Sequence, residues 1–159
     1  MSDDAVRSGL RHVTWEGRLE AVDHDPLVVL DGAHNPAAAC AVAAYLKDFR
    51  GSTGGRVVLV AGFMRDKDSR GFLSVVTPYV DHIVLTAVHM SRAATPEELH
   101  EGLKGWPGRV HTAASSGEAL SWARRVASAR DMICVTGSLM LVGEIKALLR
   151  GCEVSLLHG

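Results

Sequence analysis

The chain has 159 residues, 47% of them apolar and 22% charged, with a formal net charge of −1. That length and balance describe one globular domain able to bury a core without metal or disulfide support. A charge so near zero excludes the electrostatic footprint of a protein that grips nucleic acid or an anionic membrane.

Residues 1–12 are polar and mixed in charge, with no apolar stretch of the signal-peptide kind. They are expected to form a linker or disordered start, with one domain over residues 13–159. Arg18 to Val22 has strand-like residues and is expected as a hairpin arm or antiparallel edge strand. Leu27 to Leu30 (LVVL) follows, its length and β-branched content suiting a buried strand. Asn35-Pro36 is a helix start, since Asn caps free N–H groups and Pro fits the first helical position. The alanine-rich run to Asp48 is the helix, and Gly51 to Gly55 a loop.

Arg56 to Gly62 reads as a strand, Ser69 to Val76 as a short helix and Asp81 to Thr86 as a third strand. Thr95-Pro96-Glu97-Glu98 has capping-box spacing and opens a helix through Leu103. Arg109 to Thr112 is a short strand, and Ser115 with Glu118 a second capping box before a helix to Ala129. Asp131 to Thr136 is a strand, and Gly137-Ser138 turns into a helix ending near Arg150. Strands alternating with helices at these spacings imply right-handed crossovers. The expected fold is a Rossmann-like three-layer α/β domain with a mostly parallel sheet and helices on both faces.

No stretch reaches the roughly 20 apolar residues of a membrane span. The three cysteines, Cys40, Cys134 and Cys152, form no C-x-x-C pair and no disulfide framework, and suit a reducing cytoplasm. No P-loop occurs, because Gly51 to Gly55 is not followed by the required Lys, and no dinucleotide fingerprint occurs either. The eight histidines include no H-E-x-x-H pair, so no metal site is expected.

In open α/β sheets, ligands bind beyond the carboxyl ends of the strands. Asp31-Gly32-Ala33-His34-Asn35-Pro36 lies at such an end. Asp31 there is suited to accept from ribose hydroxyls, and His34 to donate to a phosphate or carboxylate beside a helix start that favours anions. The same residues also read as an Asx-turn and a helix cap with His34 exposed. Arg18 is either a surface residue or a phosphate fork. Ser138 is at least a helix cap. Asp66-Lys67-Asp68 is a charged loop after a strand.

Five segments in this order resemble the carboxy-terminal domain of folylpolyglutamate synthases and dihydrofolate synthases, in the Mur ligase superfamily. They are W-E-G-R-L-E (Trp15 to Glu20), L-D-G-A-H-N-P (Leu30 to Pro36), D-K-D (Asp66 to Asp68), T-P-E-E-L (Thr95 to Leu99), and V-T-G-S-L with L-V-G-E-I (Val135 to Ile145). The resemblance implies an ATP-dependent ligase that adds L-glutamate to a folate or pteroate carboxylate through an acyl phosphate. It implies an amino-terminal ATPase domain that holds the P-loop, the Mg2+ ligands and most of the folate site. Without that domain the chain alone is expected to be inactive. By the same resemblance Arg18 and Asp31 face ATP, Arg18 toward phosphate and Asp31 toward ribose. His34 and Ser138 stand on the incoming-glutamate side as catalytic residues, and Lys67 and Asp68 face the cleft. Both Arg18 and Asp31 are expected to project from strand ends into that cleft. Two other readings stay open: a stand-alone nucleotide-binding or interaction module without catalysis, and a muramyl-peptide ligase domain, which Gly32 and Asn35 disfavour.

Overall fold

Among the described residues six strands form one sheet in the order β1-β2-β6-β3-β4-β5. The protein is described from a computed structural model, in which residues 15–152 are placed. The expectation for residues 1–12 lies outside the described residues. Strand β1 (Glu20–His24) runs antiparallel to β2 (Leu27–Leu30), joined by the two-residue turn Asp25-Pro26. The remaining neighbours, β6 (Met132–Thr136), β3 (Val57–Ala61), β4 (His82–Thr86) and β5 (Arg109–Ala113), pair in parallel.

The helices among the described residues are α1 (Pro36–Thr53), α2 (Ser69–Val76), α3 (Pro96–Glu101), α4 (Ser116–Val126) and α5 (Leu139–Leu149), with a 3₁₀ turn at Thr77–Tyr79. From β2 through β5 the chain moves in one direction across the sheet, and from β5 to β6 it moves back. With crossovers of one hand, that reversal sends α4 to the opposite face from α1, α2 and α3. The side chains divide accordingly. Val29, Leu59, Leu85 and Cys134 pack with Leu46 of α1, Phe72 of α2 and Leu99 of α3. Val28, Val60, Val84 and Val135 pack with Leu120 of α4 and Leu141 and Ile145 of α5. Alternate residues of each strand feed opposite cores, so β3 and β6 are buried along their whole length and read as unbroken apolar runs. No helix among the described residues is long and apolar enough to cross a membrane.

Several boundaries differ from the sequence expectation, each for a local reason. Helix α1 continues past Asp48 to Thr53, because the Ser52 and Thr53 hydroxyls donate back to helix carbonyls. It stops only at Gly54, whose φ of +67° allows its N–H to reach Arg50 O. Helix α4 ends at Val126, three residues early, as Ala127 is already extended. Beyond it Asp131 accepts from Ser128 and Arg56 and fixes the entry to β6. Helix α3 ends at Glu101, after which tight turns carry Gly102 and Leu103. Strand β1 starts at Glu20, since Gly17 to Leu19 is held in a turn.

Candidate functional site at the carboxyl ends of the strands

Chain leaving β2 and β3 turns to α1 and α2 on one face, while chain leaving β6 between them turns to α5 on the other. Loops that part in this way open a crevice at the sheet edge. A cavity of about 150 Å3 lies there, lined by His34, Met64, Lys67, Arg92, Gly137 and Ser138, with Leu139 and Met140 at its side.

Three backbone bonds hold the crevice wall. Gly137 N–H donates to Ala33 O at 2.9 Å, Gly62 N–H to Thr136 O at 3.3 Å, and Asp31 N–H to Val135 O at 2.9 Å. Gly137 has φ +100°, and a Cβ there would meet Gly62 O at 2.6 Å and the Phe63 ring at 2.9 Å. Only glycine makes this turn. Ser138 follows, buried, with its Oγ accepting the Met140 N–H at 3.1 Å as the cap of α5. Among the described residues its hydroxyl proton has no acceptor, so the hydroxyl can donate.

His34 is half-buried, and its Nδ1 lies 2.9 Å from Gly32 O. A carbonyl can only accept, so Nδ1 carries the proton and Nε2 of the neutral ring is an acceptor. His34 can therefore donate through Nε2 only as an imidazolium, which qualifies the expectation of a donor. Asn35 Oδ1 accepts the Ala38 N–H at 2.9 Å and caps α1.

Lys67 reaches the cavity wall and pairs with Asp66 at 2.8 Å. Asp68 does not line the cavity; its carboxylate caps α2 by accepting the Gly71 N–H at 2.8 Å. Arg92 also lines the cavity and was not among the residues singled out from the sequence. The loops after β3 and β4 pair through Met64 and Ala93, with Arg65 N–H donating to Arg92 O at 3.0 Å, and this brings Arg92 beside Lys67. The available signal was its place in a loop between a strand's carboxyl end and a capped helix.

Arg18 and Asp31 do not line the cavity. The Arg18 side chain is exposed and has no ion pair among the described residues. Asp31 is only 5% exposed, so its side chain does not stand open in a cleft as expected. Its Oδ1 accepts the Ala33 N–H at 2.8 Å and its Oδ2 the Leu19 N–H at 2.9 Å. These are the Asx-turn of the simpler local reading plus a long-range tie. Each oxygen accepts one bond among the described residues. Cys134 lies beneath in the core, and burial, with the charge of Asp31 adding, pushes its thiol up to about 12, which makes it inert as a nucleophile. Among the described residues no cluster of three or more His, Cys, Asp or Glu is placed to hold a metal ion.

Comparison with known proteins identifies this arrangement. The family model described as Mur ligase, glutamate ligase domain, matches residues 17–139. A probable bifunctional folylpolyglutamate synthase/dihydropteroate synthase of Halobacterium salinarum is 36% identical over 147 residues, which cover 92% of this chain and 18% of that protein. The crystal structure of a bifunctional folylpolyglutamate synthase/dihydrofolate synthase from Yersinia pestis, complexed with AMPPNP and Mn, superposes with a TM-score of 0.83 at 31% identity. It covers 94% of this chain and 35% of its own. An enzyme of the same description with Mn, AMPPNP and L-glutamate bound matches equally, with a TM-score of 0.83 over 94% of this chain. The chain thus spans only a minor part of the relatives it matches, and it belongs to the Mur ligase family as a glutamate ligase domain.

Proposed function

We propose that this chain is the glutamate-ligase domain of an ATP-dependent acid–amino-acid ligase that adds L-glutamate to a folate or pteroate. The observation that carries the reading is the crevice at the ends of β2, β6 and β3, where His34, Lys67, Arg92 and Ser138 converge on one small cavity. Two cations, a hydroxyl donor and an imidazole acceptor match a zwitterionic amino acid: Lys67, Arg92 and Ser138 address carboxylates, and Nε2 of His34 takes a proton from the ammonium. Arg18 stands toward the phosphates of ATP and Asp31 toward its ribose. ATP phosphorylates the pterin-linked carboxylate, the glutamate amine attacks the acyl phosphate, and the amide, ADP and phosphate result. Mg2+, with its ligands in an amino-terminal ATPase domain, would steady the phosphates. Closure of that domain on this one would keep water from the acyl phosphate. The reading places the enzyme in the cytoplasm.

The test is ADP release by the polypeptide that joins this chain to its ATPase domain. Release is expected to require both glutamate and a dihydropteroate or tetrahydrofolate acceptor, and to be absent with the 159-residue chain alone. Release driven by a muramyl peptide, or ATP binding with no turnover, would overturn the proposal.

A further inference from the structure

Arg18 stands on a turn that is unusually well tied for an exposed surface segment. Gly17 and Leu19 on either side both have positive φ, +67° and +45°. For Leu19 this is a costly conformation that persists only where its surroundings impose it, and such residues gather at functional sites. The three main-chain N–H groups from Gly17 to Leu19 each have a partner. Gly17 N–H donates to Glu20 Oε2 at 2.7 Å, Arg18 N–H to Trp15 O at 3.1 Å, and Leu19 N–H to Asp31 Oδ2. Gly32 N–H closes the far side by donating to Gly17 O at 2.8 Å.

Behind this turn lies Lys146 of α5. Its side chain is only 13% exposed, and its Nζ meets Glu20 at 3.0 and 3.1 Å and Glu16 at 3.0 Å. Glu20 therefore receives the Gly17 N–H on one side and the Lys146 ammonium on the other. The Gly17 N–H first, and Lys146 after it, hold its carboxyl below the usual range against the effect of burial. Gly17 itself packs on the same helix, so closely that a Cβ there would lie 3.3 Å from Val142 and 3.7 Å from Leu139. The helix that begins at Ser138 thus also sets the turn that carries Arg18.

We propose that Lys146 is a positioning residue for the proposed reaction: through Glu20 and Glu16 it fixes the turn from Trp15 to Leu19 so that the Arg18 guanidinium is presented to a phosphate. The inference rests on the reading of Arg18 as the phosphate-facing residue. Lys146 acts through Arg18 and touches no substrate.

The experiment is a chemical-shift titration with ATP of the polypeptide that joins this chain to its ATPase domain, with amide hydrogen exchange at Gly17 and Leu19 as a second readout. Arg18→Ala is expected to weaken ATP binding about tenfold. Lys146→Met should weaken it about three- to tenfold and speed exchange at Gly17, while Lys146→Arg restores both. In Arg18→Ala/Lys146→Met the losses should not add, because the second change acts only through the first. Should Lys146→Met fail to fold, Glu20→Gln tests the same link with the Gly17 bond preserved. Additive losses, or ATP binding in Lys146→Met (or Glu20→Gln) equal to wild type, would overturn the inference while leaving Arg18 in place. An Arg18→Ala chain that binds ATP as wild type does, or a wild-type chain that shows no perturbation, would overturn the underlying reading of Arg18.

Discussion

Leu19 donates its main-chain N–H to Asp31 Oδ2 across 2.9 Å, and this bond joins the turn bearing Arg18 to the end of β2. The same carboxylate holds the Ala33 N–H in the turn that leads to His34. Asp31 is thus a buried fastener between two segments of the site.

Asp31→Ala is expected to lower stability, since it leaves two N–H groups without an acceptor. At about 1–3 kcal/mol for each stranded donor, the total is roughly 2–6 kcal/mol. Asp31→Asn keeps one oxygen and should lose about half as much. Urea unfolding of the three proteins measures this; equal midpoints would show the bonds to be dispensable.

Gly137→Ala should be among the most damaging small substitutions. Its φ of +100° is adverse to any side chain, and the new methyl would press on Gly62 O and Phe63. The expected cost is about 2–4 kcal/mol. Gly143→Ala, on an open face of α5 with nothing within 4 Å, is the control and should be neutral or stabilising. Thermal melts of both variants decide the matter.

Acid should weaken the fold in part through Asp131, at the amino-terminal edge of the sheet. Burial by itself would raise its pKa, but the Arg56 guanidinium and main chain and the Ser128 N–H and hydroxyl override this and hold it far below the carboxylate range. The unfolded chain takes up this proton near pH 3.9 and the folded chain resists it. The stabilisation is therefore complete above about pH 5 and falls away as pH drops below 4. Urea midpoints from pH 6 to pH 3 should decline less steeply in Asp131→Asn, although that variant starts lower. Parallel curves would remove Asp131 from the account.

Arg92→Ala should leave stability unchanged, because the side chain is exposed. In the joined ligase it should raise the KM for glutamate about tenfold with little effect on kcat, as expected for a contact made equally in ground and transition states. Steady-state kinetics with glutamate as the varied substrate supply the check. A loss confined to kcat would assign Arg92 a different role.

The alternating strands and helices, the caps at Asn35, Thr95, Ser115 and Ser138, and the parallel sheet were legible in the sequence because they depend on local chemistry and on apolar runs. So were His34, Lys67 and Ser138 as candidates, each lying just after a strand's carboxyl end. Asp68 could be selected from the sequence, but only the structure shows its carboxylate spent on capping α2. Arg92 was hidden, since its approach to Lys67 depends on pairing of two loops through Met64 and Ala93. The strand order was hidden too: inserting β6 between β2 and β3 is what opens the crevice, and the pairing of distant strands leaves no mark on local periodicity. The burial of Asp31 and the ion pairs of Lys146 with Glu16 and Glu20 were equally out of reach, because they join residues far apart in the chain through contacts that only tertiary packing creates.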